Sequence, residues 1–209
     1  MLTKLRRSFF DYIKENLFLY FIAILILVVG IVSGSISVKA LNVQQKDNLI
    51  NYINLFFQKV DINALNSKLV LKYSILNNLK LVSLIWVLGL TIIGIPFVML
   101  ILFIKGFILG FTVGFLIDEL GFTGILFSTI SLFPQNIIII PSIVIIGVSA
   151  LSFSLILLKN KRGAEKYSII QQVTGYTILV SLMALIIILG CFIEAYISPV
   201  FMKMMLPYI

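Results

Sequence analysis

A chain of 209 residues that is 61% hydrophobic, only 11% charged and of mean hydropathy +1.16 is built for lipid rather than water. It has room for about five spans of roughly 20 residues and one moderate loop, which excludes a separate soluble catalytic domain. The net charge of +8 belongs in such a chain to topology and anionic lipid rather than to nucleic acid, and the absence of histidine excludes an imidazole relay, a Ser-His-Asp triad and an HExxH zinc site.

Residues 1–16, MLTKLRRSFFDYIKEN, form a basic amphipathic start. Phe9, Phe10, Tyr12 and Ile13 suit a membrane surface held by Lys4, Arg6, Arg7 and Lys14, or the segment is a solvated lead-in. The first span is 17–38, whose apolar core is longer than a signal-peptide h-region of about 7–15 residues, so we expect a retained anchor.

Residues 39–80 form the one sizeable polar region. Leu49, Ile53, Phe56, Phe57 and Val60 fall at helical spacing; Ile62, Leu65, Leu69, Tyr73 and Leu76 repeat the pattern after Asp61, an expected N-cap. Two short amphipathic helices are predicted. They pack on the bundle, lie in the interface, or offer a groove to a partner.

The second span, 81–104, has Trp86 near its start as an interfacial anchor and a kink expected at Pro96. Lys105-Gly106 reads as the tight break before the third span, 107–132. Gly106, Gly110 and Gly114 make two overlapping GxxxG steps on one face, where helix backbones approach closely, with Gly121 and Gly124 beyond. The contacting helix is either the chain's own or a partner's. Asp118 and Glu119 have two readings: functional carboxylates at membrane depth, or a pair near the interface where the helix breaks.

Pro134, Gln135 and Asn136 read as a short turn, with amides available to helix ends or to a contact. The fourth span is 137–158, followed by a basic loop, 159–168, and a fifth span, 169–197, with Glu194 near its end. The basic clusters at 4–7 and 159–166 place the N-terminus, Lys105 and that loop in the cytoplasm, and 39–80 and the C-terminus outside. Nine Lys and Arg then lie inside and seven outside, so clustering rather than the total sets the orientation. Cys191, the single cysteine, excludes CxxC chemistry and an intramolecular disulfide. There is no GxSxG, Walker A or GxGxxG motif either. The expectation is therefore an all-α, polytopic membrane helix bundle that is not an enzyme and uses no metal or cofactor.

The run NNLKLVSLIWVLGLTIIGIPFVMLILFIKGFILGFTVGFL, with LFPQNIIIIP after it, closely resembles the stage II sporulation protein M family of endospore-forming bacteria. The resemblance rests on Asn77-Asn78, Trp86, Gly94-Ile95-Pro96, Lys105-Gly106, the 110–115 run and Pro134-Gln135-Asn136, and extends over essentially the whole chain. It implies a non-enzymatic scaffold in the mother-cell membrane at the sporulation septum. There it would anchor two peptidoglycan-remodelling partners, stage II sporulation proteins P and D, during engulfment. Self-association is also compatible with the glycine face. The competing expectation is a small-solute channel or transporter, motivated by kinked spans with Asp118 and Glu119.

Overall fold

The computed structural model describes residues 13–59, 67–161 and 169–200, which are helical apart from short turns and contain no strand. The helices are α1 (Leu17–Ser37), α2 (Val43–Lys59), α3 (Ser67–Gly89), α4 (Gly94–Lys161) and α5 (Ile169–Phe192), the last continued by a π-helical turn, Ile193–Ile197. Among the described residues, four helices are long and apolar enough to cross a membrane. One of them, α4, is folded at Gly121, where φ is +58°, a conformation that a residue with a Cβ rarely adopts. Its arms, 94–120 and 122–161, run antiparallel: Gly124 lies against Leu116, and Gly147 against Leu102. The chain therefore passes along the bundle axis five times.

The breaks fall elsewhere than the sequence suggests. Lys105-Gly106 and Pro134-Gln135-Asn136 are helical, within the first and second arms. Pro96 lies in the first turn of α4, where a missing amide costs nothing, so it kinks no span. The actual turn, 90–93, interrupts the apolar run 81–104, and the predicted second amphipathic helix is the beginning of α3. Leu90-Thr91-Ile92-Ile93 carries no polar signal beyond one threonine, because the caps come from elsewhere. The Ser154 hydroxyl lies 3.0 Å from the Gly89 carbonyl and 2.9 Å from that of Thr91. The Thr91 hydroxyl donates to the Leu88 carbonyl at 2.8 Å, and the Tyr176 hydroxyl reaches the Ile85 and Trp86 carbonyls at 3.3 and 3.2 Å. A helix end inside an apolar bundle must find such donors, since lipid supplies none. At the start of α2 the same need is met locally, by reciprocal bonds between Asn42 and Gln45. The expected cap at Asp61 lies outside the described residues.

The core lies among α3, both arms of α4, and α5. Ile85, Leu102, Ile146 and Ile187 are fully buried, and the Phe153 ring stacks on that of Tyr176 at 5.3 Å. Small residues on the second arm allow close packing: Ser142 and Ser149 are buried, with their hydroxyls turned back to the Ile138 and Ile145 carbonyls. Helix α1 adds Ala23 and Leu27 to this core and runs parallel to the first arm, since Gly30 meets Phe103 and Gly34 meets Phe107.

Candidate functional site

The glycine face is filled from within. A Cβ on Gly106 or Gly110 would overlap the carbonyl oxygens of Leu27 and Ile31, and one on Gly114 would come within 3.0 Å of Ser35 Cα. The fit is reciprocal, because Gly30 and Gly34 press on the Phe103 and Phe107 carbonyls. The Gly30-x-x-x-Gly34 step of α1, equally legible in the sequence, completes the pair. Backbone contact of this kind replaces the hydrophobic drive that lipid removes. The seam is occupied by α1, so it is not an open groove for a partner's helix.

Above this seam the polar side chains gather at one level. Twenty residues of helix, about 30 Å of hydrocarbon, counted back from Leu158 end at Ile139 on the second arm. Gly190 of α5 faces Ile138 and Ile139, and Asn78 of α3 donates to Cys191 Sγ at 3.5 Å, so the three helices reach that level together. Here the Ser74 hydroxyl binds the Glu194 carboxylate, and the Ser198 hydroxyl donates to Gln135 Oε1 at 2.9 Å. Glu194 lies in the π-turn, a local widening that re-aims side chains. Asn136 turns its amide back to the Leu132 carbonyl at 2.8 Å, close to where Pro134 withdraws a donor from the helix.

Lys105 is half-buried just below this collar, with the charge of Glu194 acting on its ammonium. That position is eleven residues, about 17 Å, along the first arm from Gly94, part-way through the bundle and away from the end that carries Asn16 and Lys159. Lys105 is thus not at the N-terminal end, where the sequence placed it. Trp86 sits three residues before the C-terminal end of α3, not near the beginning of a span, and its indole donates to Thr177 Oγ1 of α5 at 3.2 Å.

Beyond the collar the α4 hairpin continues. The first arm bounds its height: Gly110 lies opposite Ile139 by the Leu102–Gly147 pairing, which leaves about 15 Å to Leu120, more than the headgroup region occupies. Asp118 and Glu119 are exposed near its tip rather than at membrane depth. Asp118 forms the one salt bridge among the described residues, to Lys46 of α2; that bond holds the Lys46 ammonium above the ordinary lysine range. Phe122 is 74% exposed beside them. A cleft of about 400 Å³ between α1 and the two arms, lined by Leu27, Val113, Asn136 and Pro141 among others, opens beside the seam. Among the described residues no three of His, Cys, Asp and Glu gather as a metal-ligand set. The pieces brought together are therefore Lys105, Gln135 and Glu194 near the collar; Trp86 and Pro96 serve the opposite end.

A family model described as stage II sporulation protein M matches residues 23–199. No curated protein and no solved structure matches the chain.

Proposed function

This chain belongs to the stage II sporulation protein M family, a sporulation-related membrane family, and we propose that it is a non-enzymatic scaffold that holds peptidoglycan-remodelling partners at the membrane. The observation that carries the reading is the hairpin of α4, which rises past the collar and offers Asp118, Glu119 and Phe122 on its tip. By the positive-inside rule the clusters at 4–7 and 159–166 stay in the cytoplasm, so this tip faces outward, toward the wall. A rigid helical post outside the bilayer suits an anchoring role, because it fixes a partner's height and lateral position at little entropic cost. The expected partners are stage II sporulation proteins P and D, met in the mother-cell membrane at the septum during engulfment.

The channel reading has lost its motivating carboxylates, since Asp118 and Glu119 stand at the hairpin tip. A mild-detergent pull-down of tagged protein from sporulating cells, analysed by mass spectrometry, tests the scaffold. Recovery of peptidoglycan hydrolases is expected; a well-folded preparation that repeatedly recovers none would overturn it.

A further inference from the structure

The outward face of α3 carries charges that nothing in the described chain uses. Lys68, Lys72 and Lys80 are exposed, and none makes an ion pair among the described residues. Successive residues turn by about 100° on a helix, so these three lie within one 120° arc; Tyr73, Leu84 and Val87 lie on or beside the same arc. Tyr73 is 63% exposed and Leu84 50%. The opposite face, with Ser74, Asn78, Val82 and Ile85, is the buried one.

Composition divides this face in two. Leu84 and Val87 belong to the apolar run that begins at Leu81, whereas Lys80, Lys72 and Lys68 precede it. From Lys80 to Lys68 is twelve residues, so the cationic stripe extends about 18 Å along the bundle axis. The phosphates of one leaflet occupy a single level and would neutralise one lysine of this stripe. A rod lying beside α3 would meet all three.

We propose that this face docks a second transmembrane helix, from a partner whose segment is apolar within the bilayer and acidic over its first three turns outside. The proposal deepens the scaffold reading and rests on it for the existence of a membrane-anchored partner. Charge complementarity fixes its chemistry: carboxylates opposite Lys80, Lys72 and Lys68, and aliphatic side chains opposite Leu84 and Val87. Exposed charges of this kind are screened by salt, with a Debye length of about 10 Å at 0.1 M.

The test reconstitutes the full-length protein in neutral-lipid vesicles with a synthetic helix of about twenty Leu and Ala residues that ends in Glu at matching spacing. Energy transfer between labelled protein and labelled peptide reports association. Wild-type protein should prefer the Glu-tailed peptide over a Lys-tailed one at least tenfold, and the preference should shrink at high salt. The K68E/K72E/K80E variant should reverse it, and K68Q/K72Q/K80Q, which keeps the helix and removes the charge, should abolish it. Equal transfer with both tails overturns the proposal. So does enrichment of anionic phospholipid that the Glu variant loses, which makes the face a lipid site, or self-association lost in the same variant. Hydrolase recovery from cells that is unchanged by K68E/K72E/K80E sinks this face and leaves the scaffold standing; no recovery by wild-type protein sinks the scaffold itself.

Discussion

At Gly110 the first arm of α4 and α1 approach so closely that no side chain fits between them. Gly110→Leu should therefore destabilise the bundle by roughly 1–3 kcal/mol, the range for overpacking a close contact, seen as an earlier unfolding midpoint in detergent. Any loss of partner recovery in that variant would follow from the fold, because the seam already belongs to α1. Ser154 illustrates a different dependence: its hydroxyl is the donor shared by the Gly89 and Thr91 carbonyls. Ser154→Ala should cost about 1–3 kcal/mol by leaving a buried carbonyl unmatched, whereas substitution of the lipid-facing Ile108 should be nearly silent in the same assay. The Lys46–Asp118 pair is exposed and screened. Because the folded Lys46 value is raised, its contribution is complete below the ordinary lysine value of 10.5 and fades as pH rises through the raised one. Asp118→Asn should remove that alkaline difference in α2 mobility, read by spin labels on the helix.

Among the elements, the α4 hairpin was least visible in the sequence, and the reason is physical. Prolines and Lys105-Gly106 looked like breaks, but Pro96 occupies a first helical turn and Asn136 turns back beside Pro134, so the helix continues. The break at 90–93 gave little local signal, because it is capped by a residue more than sixty positions away, whereas the break beside Asp118 and Glu119 was one of the two readings and falls at Gly121. Gly106, Gly110 and Gly114 were legible as a close-contact stripe, but its occupant was not, since one stripe cannot say which helix meets it. The hairpin's height makes a prediction of its own. With buried Cys191 as the only native thiol, Phe122→Cys should react with a membrane-impermeant maleimide from outside the cell, and Lys159→Cys only after permeabilisation. Ile108→Cys, on the lipid face, should resist both.

Seen whole, the described residues form an all-helical bundle that runs five times along one axis and extends at one end into the α4 hairpin. The all-helical membrane class was legible, since hydropathy and length alone dictate it; the family was legible in the motifs between Asn77 and Asn136. The place of Lys105 part-way along the first arm was not, and it shows why orientation rests on clustered charges rather than on totals. The central claim is that this extended end positions wall-remodelling enzymes. Its most direct test is the localisation of a fluorescent fusion of stage II sporulation protein P in sporulating cells, with this chain present, absent, and resupplied. The account predicts a septal focus that disperses around the membrane without the chain and returns when it is restored; a focus that persists in its absence would contradict it.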